Sequence, residues 1–356
     1  MDAQNNARVE RNQNGGLALI PMPGFESLAL ETKTLIEKNY PDKVDIATPR
    51  VDHHKSGEPF IELPKDHIGG HDCFLLTSGP GTELMLAQTQ IALAYLVGRK
   101  AKRITLVSGY SPLSRSDKDD GLKVLALNRI IIDMFWAASY QKLERMIVAN
   151  LHSPGGVAAG RPGLITEISL ARRVIKKAIK DAIKQFPDRN ICLLFPDESA
   201  LKRVEREIVE IEREMSRTFH IICGRKRRKS SDDITLAGFS GDLDKLDGSI
   251  VISVDDEIAT GNTNIKTAKA FRSFSDIKAF WATVIHFIGC GNCVSALADV
   301  NCPIDRIYAT DTIPIDNRYE ITPLIDSGRL VILRWARDLF KIIRYSHWDM
   351  SIREIR

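Results

Sequence analysis

Short, almost continuously apolar runs rich in β-branched residues alternate along this chain with longer stretches of helical periodicity. That alternation narrows the fold more than any other feature. Such runs are expected as strands buried on both faces, with the helical stretches as crossovers, which makes an α/β fold of mainly parallel sheets flanked by helices. The expected strands are Cys73–Thr77, Arg103–Ser108, Met146–Asn150, Ile191–Phe195, Phe219–Ile222, Ile250–Val254, Ala282–His286 and Arg306–Ala309. The expected helices are Glu83–Val97, Val124–Ala138, Glu167–Gln185, Ala200–Met215, Thr263–Arg272 and Trp335–Tyr345.

A length of 356 residues leaves room for two domains of ordinary size. A weak internal repeat supports two. RITLVSGYSPLSRSDKDDG and SIVISVDDEIATGNTNIKTA each run from an apolar strand into an acidic, polar loop, and Val107 and Val254 lie 147 residues apart. Breakers at Pro154-Gly155-Gly156 and Arg161-Pro162-Gly163 put a boundary near residues 155–170. The expected plan is a flexible polar leader over 1–16, one domain over 17–162, and a second over 163–356 that includes the C-terminal helix.

Composition excludes several classes. With 50 Lys plus Arg against 46 Asp plus Glu, the net charge of +4 is too small to make nucleic acid the default partner. No apolar run approaches the roughly 18 residues of a bilayer span. The first sixteen residues lack the apolar core of a secretion signal, and six cysteines in so long a chain do not suggest a disulfide framework. A soluble, cytoplasmic protein is expected.

The segment VISVDDEIATGNT, residues 251–263, carries the most chemistry. A buried strand ends at the acidic pair Asp255–Asp256, and a helix is expected near Thr263. In open α/β sheets, ligands bind beyond the carboxyl ends of strands. Thr260, Gly261, Asn262 and Thr263 would present hydroxyls and backbone N–H groups at a helix N-terminus, which suits a phosphate. The adjacent carboxylates suit ribose hydroxyls or a divalent cation. An ordinary capped turn is the plainer alternative.

This segment resembles the phosphoribosyl-diphosphate loop of the type I phosphoribosyltransferase fold, and the chain from about Leu17 onward is similar to the ribose-phosphate diphosphokinases, also called phosphoribosyl-diphosphate synthetases. Other motifs match in order: residues 57–78 (GEPFIELPKDHIGGHDCFLLTS) the early strand and nucleotide-binding hairpin, 108–120 (SGYSPLSRSDKDD) the ATP loop, NLHS at 150–153 the metal-binding Asp-Leu-His, FPDES at 195–199 the Ser-Pro-Asp segment, and GRKRRK at 224–229 the start of the catalytic flexible loop. The resemblance implies two tandem type I phosphoribosyltransferase-like domains and a homo-oligomer, either dimer or hexamer. It implies Mg²⁺-dependent transfer of the diphosphoryl group of ATP to the anomeric hydroxyl of ribose 5-phosphate; charge and hydropathy lead to the expectation of no nucleic-acid or membrane partner.

Residue by residue, the resemblance assigns ATP contacts to Arg115, Asp120 and Glu58, the last reaching ATP at an adjacent subunit. It places Mg²⁺ near His152 and Asp197. Asp255, Asp256 and Thr260 to Thr263 hold the ribosyl phosphate, and the catalytic pair Lys226 and Arg228 supports the transferring group. The basic run Arg225–Lys229 taken alone could also serve nucleic acid or targeting. The chain departs from the family at Ser116 (for Gln), Asn150 (for Asp), Glu198-Ser199-Ala200 (for glycines), Ala259 (for Asp) and 154–160 (for a Gln-Gly stretch). These departures leave two alternatives: the same chemistry on a larger ribosyl phosphate such as ADP-ribose, or a non-catalytic regulatory subunit. Retention of Lys226, Arg228 and the acidic pair favours an enzyme. Separately, His286, Cys290, Cys293 and Cys302 have partial zinc-ligand spacing, weighed against reduced, partly buried thiols.

Overall fold

In the computed structural model, which describes residues 14–63, 68–117, 119, 121–152, 161–224 and 238–352, the apolar runs pair into two main sheets, one in each of two units. The first unit comprises Met1–Ile168, Pro314–Asn317 and Arg334–Arg356, and the second Ser169–Ile313 and Arg318–Leu333.

In chain order the first unit contains β1 (Leu17–Pro21), α1 (Glu26–Asn39), β2 (Val44–Ile46), β3 (Arg50–His53), β4 (Pro59–Glu62), β5 (Asp72–Thr77), α2 (Glu83–Gly98), β6 (Arg103–Ser108), α3 (Leu127–Ala138), β7 (Leu143–Ala149) and β8 (Ile165–Ile168). Its sheet has the order β2-β1-β5-β6-β7-β8, and every pairing is parallel. All residues of β1 and β5 are buried, as expected for strands covered on both faces. β3 and β4 form a separate antiparallel hairpin.

The second unit contains α4 (Ala171–Gln185), β9 (Ile191–Phe195), α5 (Glu198–Met215), β10 (His220–Gly224), β11 (Phe239–Gly241), β12 (Ile250–Val254), β13 (Glu257–Ile258), α6 (Asn262–Phe274), β14 (Ala279–Phe287), α7 (Cys293–Ala298), β15 (Arg306–Thr310), α8 (Thr322–Asp326) and β16 (Leu330–Leu333). Its sheet runs β11-β10-β9-β12-β14-β15-β16, with β13 added beside β14. Only the β10–β11 pairing is antiparallel. α4 is polar outside and apolar inside: Val174, Ile175, Ala178, Ile179 and Ala182 recur at helical spacing and are buried.

Apart from β11 and β13, the two sheets share one order: the second strand of each unit flanks the first, and the third to sixth follow on the other side. That equivalence aligns β5 with β12 and β6 with β14. The sequence repeat, which paired Arg103–Ser108 with Ile250–Val254, is therefore offset by one strand.

Two expectations change. The helix expected from Glu167 begins at Ala171, because residues 165–168 form β8 beside β7. The C-terminal helix α9 (Ala336–His347), expected with the second half, belongs to the first unit and packs on α1. Its end is fastened by a buried polar cluster. Asp72, fully buried, accepts from Arg103 Nε at 3.0 Å and Nη2 at 2.6 Å, and His347 Nδ1 lies 2.9 Å from the same carboxylate.

Candidate functional site

β12 is buried between β9 and β14 and delivers the acidic pair to the carboxyl edge of the second sheet. The backbone holds both residues: Asp255 N–H donates to Thr283 C=O, while Ile285 N–H and His286 N–H both donate to Asp256 C=O, each at 3.0 Å. Asp256 N–H also donates to Asp255 Oδ1 at 3.0 Å. Burial first, then the neighbouring Asp256 charge, pushes the Asp255 carboxyl up to about 7.

The loop after the pair forms the short strand β13, then turns at Gly261 (φ 73°) into α6. A side chain at Gly261 would be strained by that φ, and its Cβ would sit 3.2 Å from Cys293 Sγ. No side-chain cap closes α6, and its first turn carries no acidic residue. Thr260, Asn262 and Thr263 are exposed there. A helix start left uncapped and free of negative charge suits an anion.

Asp197 follows β9, the strand next to β12, and caps α5: its Oδ1 accepts from Ala200 N–H at 2.9 Å. The chain order reverses between β9 and β12, since β9 leads outward to β10 while β12 leads the other way to β14. Asp197 and the Asp255–Asp256 pair thus flank the switch point, where ligands of open α/β sheets gather. Three carboxylates on neighbouring strand ends provide hard oxygen donors of the type Mg²⁺ prefers.

In the first unit, Arg115 follows β6 and is exposed, while His152 follows the adjacent β7. His152 lines a small cavity together with Ser111, Ser114 and Asn128, so the loop after β6 and the turn after β7 converge. Asn150 turns the chain there with φ 38°, a left-handed conformation that Asn tolerates better than most residues. Leu151 N–H donates to Glu167 Oε1 at 2.9 Å, which ties the turn before His152 to β8. Glu58 stands at the exposed tip of the β3–β4 hairpin and accepts from Ser56 Oγ at 2.7 Å. Asp120, Lys226 and Arg228 lie outside the described residues. Gly224, which precedes the basic run, and Phe239, ten residues after its last lysine, are register partners at the sheet edge, and a Cβ at Gly224 would meet Pro196 C=O at 2.3 Å.

Sequence reasoning missed Arg318. Its guanidinium donates to Phe287 C=O at 2.7 Å and Ile288 C=O at 2.6 Å, securing the end of β14 beside β13; the isolated arginine had no motif to mark it. Among the described residues His286, Cys290, Cys293 and Cys302 do not assemble as metal ligands. His286 Nδ1 lies 2.8 Å from Thr312 Oγ1, and burial pushes the Cys293 thiol up to about 11.

The fold and this edge define an α/β protein with two mainly parallel, helix-flanked sheets and an acidic pair ahead of an uncapped helix start. No family model matches the chain. It is 28% identical over 216 residues to the ribose-phosphate pyrophosphokinase of Deinococcus radiodurans, a match covering 60% of this chain and 61% of that one, so less than two thirds of this relative's length is spanned. It is 25% identical to the enzyme of that name from Sulfurisphaera tokodaii (79% and 90% covered) and 23% identical to that of Methanopyrus kandleri (76% and 85%). The fold matches the crystal structure of phosphoribosylpyrophosphate synthetase from Mycobacterium smegmatis with a TM-score of 0.74, 20% identity, and 94% and 99% coverage. In sequence the chain is thus similar, at 23–28% identity, to proteins named ribose-phosphate pyrophosphokinase.

Proposed function

We propose that this protein is an ATP-dependent diphosphokinase acting on ribose 5-phosphate and assembling as a homo-oligomer. The observation that carries the reading is the switch-point arrangement: Asp255 and Asp256 at a buried strand end, followed by the uncapped, Gly261-led start of α6. The carboxylates accept hydrogen bonds from the ribose hydroxyls, and the backbone N–H groups of Thr260 to Thr263 receive the 5-phosphate. The anomeric oxygen then attacks the β-phosphorus of ATP in line; the bond from that phosphorus to the α,β-bridging oxygen breaks, and AMP leaves. Positioning and charge balance supply most of the acceleration in such transfers. Arg115, Asp120 and Glu58 place ATP, and Lys226 and Arg228 balance charge on the moving group. His152 and Asp197 would each lie near a Mg²⁺ ion, whose charge would screen the polyphosphate.

Ala259 favours a second acceptor. Where the related enzymes carry an aspartate before Thr-Gly, this loop has one fewer charge and a smaller side chain, which would leave room for a larger ester such as ADP-ribose. The test is AMP release from ATP and Mg²⁺ with each acceptor offered separately. Turnover with ribose 5-phosphate that is abolished in folded Asp255→Ala and Asp256→Ala supports the reading. Near-normal turnover in both variants overturns the site, and turnover with ADP-ribose alone overturns the acceptor.

A further inference from the structure

The segment Cys290-Gly291-Asn292-Cys293, whose spacing suggested a partial zinc set, folds into a different arrangement. Cys293 N–H donates to Cys290 C=O at 3.2 Å. Gly291 has φ 60°, and Asn292 has φ −86° and ψ 13°. A positive φ at the first central residue alone, closed by that hydrogen bond, makes a type II′ turn. Such a turn brings its end Cα atoms within about 7 Å, and a disulfide spans roughly 4.4–6.8 Å between them. Both cysteines are free thiols.

The two sulfurs are not alike. Cys290 is exposed, whereas Cys293 is buried. Burial first, then the neighbouring Cys290 sulfur, raises the Cys293 thiol, so Cys293 is poorly suited to start an exchange. An accessible thiol with a buried one three residues on can divide the work of thiol–disulfide exchange into attack and resolution. Cys302 is half-buried and also acts on Cys293, which makes it the competing partner. The turn is tied to the loop ahead of α6 as well. Cys290 N–H donates to Ala259 C=O at 3.0 Å, and Cys293 Sγ lies against Gly261, 3.2 Å from where a Cβ there would stand.

We propose that Cys290 and Cys293 are a reversible redox site, whose oxidation by a small-molecule disulfide loosens the start of α6. Cys290 loses its proton and attacks one sulfur of the oxidant, expelling the other half as a thiolate. Cys293 then loses its proton and attacks Cys290 Sγ, expelling the second half. The two cysteines give up two electrons and two protons as one S–S bond forms; the oxidant takes them and leaves as two thiols. In the closed form Cys293 Sγ is bonded to Cys290 Sγ at about 2 Å, and its packing against Gly261 is withdrawn. The inference rests on the sulfurs and the turn, independently of the reaction assigned to the protein.

The experiment treats the folded full chain with glutathione disulfide, alkylates the remaining thiols and maps the products by mass spectrometry. Wild type should lose two thiols, joined as Cys290–Cys293, and recover both with dithiothreitol. Cys293→Ser should stop with glutathione attached to Cys290, and Cys290→Ser should leave Cys293 a thiol. Hydrogen exchange should be at least threefold faster in the oxidised form at the amides of Ile265 and Cys290, which donate to Gly261 C=O and Ala259 C=O, and unchanged in β9. A lasting glutathione adduct on wild-type Cys290, a Cys290–Cys302 link or an unreacted pair overturns the redox site. A Cys290–Cys293 disulfide with unchanged exchange overturns its coupling to α6.

Discussion

Asp255 sits at the end of a buried strand beside a second carboxylate, and its chemistry follows from that placement. Between the ordinary carboxylate range and about pH 7 the folded chain keeps a proton here that the unfolded chain has released. The contribution of this group to stability is therefore fully present at low pH and is lost as pH rises through about 7. We expect the urea midpoint of the wild type to fall more between pH 5 and pH 8 than that of Asp255→Asn, which has no proton to lose. Equal falls in the two proteins would mean that the carboxyl is solvated and ordinary. A ribose hydroxyl donates to a carboxylate and gains less from a neutral acid, so sugar binding should tighten over the same interval.

Asp197 shows how an element can make a residue serve two purposes. Its carboxylate caps α5 while standing at the switch point, and an N-cap deletion costs about 1 kcal/mol. Asp197→Ala should lower stability by about that amount, whereas Asp197→Asn keeps a capping oxygen and should stay within a few tenths of a kcal/mol. Turnover that falls sharply in both variants would separate a charge requirement at the ligand from the cap. Unchanged turnover in Asp197→Asn would leave the cap as its whole role.

Elements were legible where one physical signal dominated. β6, β9 and β12 lie on their expected residues because largely apolar strands end abruptly at turn or acidic residues. β8 was misread because Ile165–Ile168 is short and its Glu167 fits a helical pattern; only its pairing with β7 makes it a strand. Asp255, Asp256 and the turn at Gly261 were readable as a local motif. The anchoring of β14 by Arg318 and the cavity beside His152 were not, since each depends on segments distant in the chain; the cap formed by Asp197 is local, three residues from its donor, and was missed because the helix was expected to begin only at Ala200.

For the molecule as a whole, the chain returns from the second unit to complete the first. α9 packs on α1, and its terminal His347 joins Arg103 around the buried Asp72. Removing one partner of a buried ionic cluster is costly, typically about 3–5 kcal/mol. A chain ending at Leu333 should therefore lose hydrogen-exchange protection in β1, β5 and α1, while β9, β12 and β14 keep theirs. Uniform loss across both sheets would show that the units do not fold independently.

The central claim is diphosphoryl transfer, and phosphorus NMR of the reaction mixture tests it most directly. With ATP, Mg²⁺ and ribose 5-phosphate, the account predicts that AMP appears in equal amount with a product whose diphosphate is bonded to the anomeric carbon. Formation of ADP, release of inorganic phosphate without that product, or an unchanged ATP spectrum would contradict it.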